Sequence, residues 1–318
     1  MSVMTRVLAG TGVVVMAAGS LLFAQGGDAA KVVADMRAAL GGEAKLAAIK
    51  TISASGNAMR AQGETSVGGD YEMVAELPDK FYTRRVAAQT PMGNIVIKQG
   101  FNGDGMIMDT EQPSMPGGGM MLRFGGPGAN ATPEQQAESK KQQVETSKQE
   151  FARMALGMFG ATPGSVPVQF TYAGTADAPD GKADILDVKG SGTFAGKLFV
   201  DQKSHLPIMF SWMGKEPIMV TAGGPGGGVQ TITRSGGSMS QADMDKMMAD
   251  AEARMKAAEA NRKMVEFRVY YADFKTVDGV KLPHKFQQSV AGEASTEITI
   301  DKFKLNPKLD AKQFEIAK

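Results

Sequence analysis

Residues 264–305 constrain the fold of this chain more than any other stretch. Val265, Phe267, Val269 and Tyr271 alternate with Glu266, Arg268 and Tyr270, which is the two-residue period of a strand with one buried face. Asp278-Gly279 follows, a dipeptide that tolerates the positive φ values of a tight hairpin turn. On the return, Leu282, Phe286 and Val290 share one parity, and Lys281, Lys285 and Gln287 share the other. In a third segment Ile298 and Ile300 keep one parity while Phe303 and Leu305 take the other, so a bulge near Asp301 is expected to re-aim the side chains. The three segments make an antiparallel meander with one apolar and one charged face. They contain no catalytic constellation.

The amino terminus carries an address. Arg6 precedes an uncharged run over 7–23, and Ala24 precedes the polar Gln25-Gly26-Gly27-Asp28. This is the pattern of a secretory signal peptide cleaved after residue 24, too short and too glycine-diluted for a membrane span. The chain has no cysteine, so acylation at a lipoprotein cleavage site and disulfide bonding are both excluded. A protein exported in this way is expected to be soluble in the periplasm or secreted. Lys and Arg total 35 against 34 Asp and Glu, and loss of Arg6 with the leader brings them into balance. A neutral chain lacks the basic footprint of a nucleic-acid partner.

Beyond the leader the signals are mostly those of strands. Asp28 can cap a helix with Val32, Val33, Met36 and Leu40 on one stripe, ended by Gly41-Gly42, and a second short helix over 43–49 precedes the first strand at Thr51. Alternation and turn signals then run to Asp109, resume at Val166, Val168, Phe170 and Tyr172, and continue through Leu206, Ile208, Phe210 and Trp212. The expected total is about eleven strands, and an open sheet that wide curls.

Insertions over 112–160 and 222–263 interrupt this pattern. Each begins with a glycine-rich run, 116–128 in the first and 223–228 in the second, and each then enters a helix through a capping box, at Thr132 and at Ser240. The first helix is polar up to Gln149 and apolar from Phe151 to Phe159, so its second half is expected to dock and its first half to stand in water. The second presents Met244, Met247, Met248 and Met255 on one side. Glycine hinges feeding methionine-faced helices suit a movable cover over varied ligands; they equally suit loops followed by helices that pack on the sheet.

Residues that could carry chemistry are sparse. His205 and His284 each lie beside a Leu-Pro pair; they could approach one another only if their strands were neighbours, and further ligands at metal-binding spacing are missing. Both are expected to be surface imidazoles at turns. Asp177, Asp180, Asp184 and Asp187 match no calcium-loop spacing, the glycine run at 223–228 lacks the Lys-Ser/Thr of a phosphate loop, and no serine sits in a nucleophile elbow. The reading is of a binding protein without a cofactor, metal or catalytic group, not of an enzyme.

Several phrases carry a family likeness. Leu77-Pro-Asp-Lys-Phe81, Phe101-Asn-Gly-Asp-Gly105, Leu198-Phe-Val-Asp201 with His205-Leu-Pro207, and Tyr271-Ala-Asp-Phe274 with Val277-Asp-Gly-Val-Lys-Leu-Pro283 resemble the outer-membrane lipoprotein-sorting, LolA-like proteins and their secreted relatives. The resemblance implies an α+β fold: a strongly curved antiparallel sheet, an unclosed half-barrel, with helices over its apolar concave face. It also implies a groove for lipid or lipoprotein acyl chains, in a carrier or a sensor, with Arg84 and Arg85 as candidates for the arginine that locks the carrier's lid. On the apolar parities the ligand-binding candidates are Phe170, Tyr172, Ile208, Phe210, Trp212, Phe267, Val269 and Phe286, joined by Met244 and Met248 from the second insertion. The alternative is an envelope scaffold that binds a protein partner through edge strands or methionine-faced helices, without a lipid.

Overall fold

The computed structural model describes residues 28–62, 65–91, 93–113, 132–178, 181–217 and 257–316. The expected leader, both glycine-rich runs, the capping box at Ser240, and Met244 and Met248 lie outside these residues. Among the described residues, no helix is long and apolar enough to cross a membrane.

Among the described residues twelve strands, one more than expected, form a single antiparallel sheet. They are β1 (Thr51–Gln62), β2 (Thr65–Glu76), β3 (Lys80–Thr90), β4 (Gly93–Asn102), β5 (Gly105–Glu111), β6 (Val168–Ala178), β7 (Gly181–Gly190), β8 (Ala195–Asp201), β9 (Pro207–Lys215), β10 (Met264–Val277), β11 (Val280–Val290) and β12 (Glu293–Leu305). Their order is β5-β4-β3-β2-β1-β12-β11-β10-β9-β8-β7-β6. β5 and β6 therefore stand at opposite edges, and the sheet does not close.

The meander read from residues 264–305 is β10–β11–β12, near the middle of this order. Asp278 (φ 50) and Gly279 (φ 80) make the β10–β11 turn, and Val277 pairs with Val280. The bulge expected near Asp301 is present: Gly56 pairs with Ile300 and Ser55 with Lys302, leaving Asp301 unpaired between them. Gly56 permits this close passage, since a Cβ there would stand 2.0 Å from the Thr299 carbonyl oxygen. Ile298 and Ile300 before the bulge and Phe303 after it all reach one core.

Helices accompany the sheet, among them α1 over 28–40, α2 (Glu43–Ala47) and α3 (Pro133–Phe159). α3 starts as its sequence dictates. The Thr132 hydroxyl accepts from the Gln135 amide, the Gln135 side chain accepts from the Thr132 amide, and Pro133 opens the first turn. It ends at Gly160 in the left-handed conformation (φ 60), whose amide donates to Leu156. Its first turns are exposed, whereas Phe151, Ala152 and every residue from Met154 to Phe159 are buried. A stretch buried in successive residues is enclosed on all sides and not merely laid on a surface.

The sheet supplies that enclosure by curving. Lys148 pairs with Asp104 at 2.7 Å, and its neighbour Gln149 donates to the Thr193 hydroxyl at 3.2 Å. Asp104 lies on the β4–β5 turn and Thr193 on the β7–β8 turn, with β4 and β8 eight places apart in the order. In a flat sheet eight spacings come to roughly 38 Å, beyond the reach of two adjacent side chains. The sheet is thus a half-barrel, and α3 bolts its two wings together across the concave side.

The outer face has a small core of its own. After β12 the chain turns at Asn306, whose side-chain oxygen accepts from the Lys50 amide at 2.7 Å. The chain then forms a 3-10 turn (Ala311–Phe314). Phe314 meets Tyr82 edge-on at 5.6 Å, with Val74 and Ile107 beside it. Lys98 and Asn102 hold this strap by donating to the Gln313 and Phe314 carbonyls.

Candidate functional site

The concave face divides into two regions. Over β3 and β4, Phe151 of α3 stacks on Phe81 with ring centroids 4.4 Å apart and approaches Phe101 at 6.4 Å; all three rings are fully buried. Tyr271 of β10 donates its hydroxyl to the Arg153 carbonyl at 2.6 Å. Its ring lies so close to α3 that a Cβ at Gly157 would fall 2.3 Å from it. The apolar groove expected here is occupied by the chain itself.

The other region lies on β9 and β10. Phe194, Phe210, Trp212 and Phe267 form a row of rings, each stacked on the next at 5.8, 5.8 and 5.3 Å. The sequence places them there because Phe210 and Trp212 share a parity on β9, and Trp212 pairs across the sheet with Phe267 on β10. The row begins in the core with Phe194 and Phe210 and ends at Trp212 and Phe267, which are half-buried.

The remaining candidates fall unevenly around it. Phe170 and Tyr172 on β6 are half-buried against the core, and the Tyr172 hydroxyl donates to Asp184 at 3.1 Å. Val269 and Phe286 are core residues, 2% and 1% exposed. Ile208 leaves the row: Phe199 pairs with Met209 and Val200 with Pro207, so Ile208 is the extra residue of a bulge.

Arg153 lies over the row. Its guanidinium stands 4.2 Å from the Trp212 ring centre and 5.6 Å from that of Phe194. One terminal nitrogen donates to Gln149 at 3.0 Å, while Nε is buried with no hydrogen-bond partner. Burial pulls its pKa down to about 10, with Glu150 and Tyr271 acting in the opposite direction. Neither Arg153 nor Phe194 emerged from the sequence reading. The signal for Arg153 was available, since it is the one charge between Phe151 and Phe159 in the apolar half of the helix.

His284 is not a surface imidazole: it is 4% exposed, its Nδ1 lies 3.1 Å from the Leu282 carbonyl oxygen, and its ring meets Phe303 edge-on at 5.1 Å. His205 is exposed in the β8–β9 turn with φ 57, and β10 separates its strand from that of His284. Arg84 points outward and grips Glu111 with two bonds of 3.1 and 2.6 Å. Arg85, opposite Tyr71 in the register, is on the concave side.

A half-open hollow of ≈ 300 Å³ lies elsewhere, at the end of the half-barrel, lined by Leu46, Ile49, Lys50, Leu77, Pro78 and Phe159 among others. None of the candidates from the sequence lines it.

Fold and site together define an open antiparallel half-barrel, bolted by one helix, that keeps an aromatic row on part of its concave face. Solved structures to which the chain is similar include three that follow it over most of its length. One is a LolA superfamily protein from Nitrosomonas europaea, at 10% identity over 90% of this chain and 97% of that one, with a TM-score of 0.44. Another is an outer membrane lipoprotein-sorting protein domain from Vibrio parahaemolyticus, at 7% identity over 91% and 97%, with a TM-score of 0.43. The third is a DUF1329 family protein from Desulfovibrio piger, at 9% identity over 90% and 96%, with a TM-score of 0.43. No family model and no curated protein matches the sequence.

Proposed function

We propose that this is an exported binding protein of the cell envelope, residing in the periplasm, that holds an apolar ligand such as a lipid or lipoprotein acyl chain against the aromatic row. The observation that carries this reading is the row itself. Stacked rings that run from the core to half-buried Trp212 and Phe267 on the concave side form a continuous apolar strip with a wet end, and half-buried Phe170 and Tyr172 on β6 add apolar surface toward the sheet edge. Phe210, Val269 and Phe286 form its floor and supply shape, without direct contact.

Magnitudes limit what such a strip does alone. A buried methylene contributes about 0.8 kcal/mol, and a wall that covers one side of a chain captures roughly half of that. Sixteen carbons would then gain on the order of 6 kcal/mol, a dissociation constant of tens of micromolar or weaker. Affinity beyond this requires either a cover or a polar anchor.

Trp212 is the single tryptophan of the chain, so its fluorescence reports on the site without labelling. A fatty acid brominated in mid-chain is expected to quench it saturably, and lipid extracts of the purified protein are expected to contain a co-purifying species. Absence of both quenching and lipid would sink the reading. It would favour instead a scaffold that recruits a protein strand at the open edges β5 and β6.

A further inference from the structure

We infer that the ligand of the aromatic row carries an anionic head group, a carboxylate or phosphate monoester, received by the guanidinium of Arg153. This inference rests on the reading of the row as an apolar-ligand site and adds the chemistry of the ligand's polar end.

The first ground is an incomplete set of partners. A guanidinium presents five N–H donors in a planar fork. Arg153 spends one terminal nitrogen on the neutral side-chain oxygen of Gln149. Its Nε has no partner, and no carboxylate of the described residues lies within ion-pair distance. Tyr271 bonds the backbone carbonyl of Arg153, not its side chain. Stacking on Trp212 and Phe194 engages the face of the guanidinium and leaves its N–H edge free. A two-oxygen anion in the plane of that edge would complete the fork.

The second ground is the contrast with arginines elsewhere. Arg37, Arg84, Arg262 and Arg268 each hold a carboxylate, on Glu43, Glu111, Glu259 and Glu266. All four are outside the aromatic site. Arg85, also on the concave side, makes no ion pair with a described residue, and it acts on Arg60 as a like charge. Two arginines of the concave side, Arg85 and Arg153, thus make no salt bridge with a described residue. Glu150 is the one acid whose field reaches Arg153.

The third ground is placement. Arg153 stands over Trp212 and Phe194, where the row passes from buried to half-buried rings. An amphiphile with its head at the guanidinium would lay its tail past Trp212 onto Phe267, the half-buried end of the row.

The test compares probes of one tail and different heads, read by quenching of Trp212 in the full mature chain. A dibrominated stearate is expected to bind at least about ten-fold more tightly than the matching dibrominated alcohol, a spread typical of one charge-assisted fork. In Arg153→Gln that preference is expected to fall to within about two-fold, with Arg153→Lys intermediate. The matching dibrominated octadecyl phosphate, a phosphate monoester on the same tail, separates the two sources of charge: whichever anion binds more tightly names the head. Equal binding of stearate and alcohol by the wild-type protein would overturn the inference and leave the apolar site standing. Quenching by neither would remove the site as well. Should the substitutions at 153 prevent folding, the wild-type comparison alone decides.

Discussion

The two regions of the concave face start from the same binary pattern and end differently. Phe81 and Phe101 on β3 and β4 lie under Phe151 and are fully buried. Trp212 and Phe267 on β9 and β10 alternate along their strands in the same way, yet stay half-buried, with the guanidinium of Arg153 from α3 over Trp212. Inward parity therefore decides which face a ring takes. What lies above it decides whether the ring becomes core or accessible surface. In this fold a single helix makes that distinction, because two of its residues two places apart, Phe151 and Arg153, address the two regions with opposite chemistry.

The sharpest way to break the comparison is to cut the filled side. Phe151→Ala removes a ring stacked on Phe81 and buried on every side, and is expected to cost about 3–5 kcal/mol, read as a lowered midpoint in urea unfolding. Next comes Gly157→Ala. Alanine improves helix propensity by about 1 kcal/mol, but its Cβ would press on the Tyr271 ring, and overpacking costs about 1–3 kcal/mol. The net change is expected to be destabilising. A stabilised variant would mean that α3 does not sit in contact with β10 in solution.

Much of this architecture was legible in the sequence, and the unread parts have physical causes. The bulge at Asp301 showed as a switch of parity between Ile300 and Phe303, and the start of α3 showed in Thr132, Pro133 and Gln135, because both are local. Occupation of the groove by α3 was not local. The apolar half of that helix announced docking, but whether a docked helix lies on a sheet or within it depends on curvature set by strands far apart in sequence. His284 misled for a related reason: its neighbours Leu282 and Pro283 look like a turn, while its burial comes from Phe303 on the next strand. The bulge that displaces Ile208 left no mark in the alternation of Leu206, Ile208, Phe210 and Trp212. Arg153 was passed over because a lone charge in an apolar helix reads as an interruption until its ring partners are known.

A middle-sized effect sharpens the comparison from the accessible side. Trp212→Leu removes a half-buried ring, so its cost is expected to be about 1–2 kcal/mol, below that of a fully enclosed aromatic. Ligand binding should suffer more than stability does. Tail-dependent binding, followed by displacement of a fluorescent fatty acid since the tryptophan is gone, is expected to weaken several-fold. A loss of stability as large as that of Phe151→Ala would erase the distinction between the regions and make the row ordinary core.

The smallest effect concerns the β8–β9 turn at the end of the accessible wing. Asp201, 8% exposed at the end of β8, accepts from both the amide and the hydroxyl of Ser204 at 2.6 Å, while its backbone closes the turn with Leu206 and His205. Desolvation works against its charge, but the bonds from Ser204, with the backbone amide and the charge of Lys203, together outweigh it and hold the carboxyl below its ordinary value. A folded-state pKa below the unfolded one means that the stabilisation is complete above about pH 4 and declines as the pH falls through the folded value. Asp201→Asn is accordingly expected to cost roughly 1 kcal/mol at neutral pH and progressively less under acid. Amide hydrogen exchange is expected to show the β8–β9 turn opening on acidification in the wild type before β3 and β4 do, with that difference reduced in the variant. If β3 and β4 open first, the wing under the helix is the weaker one and the order of the comparison is reversed.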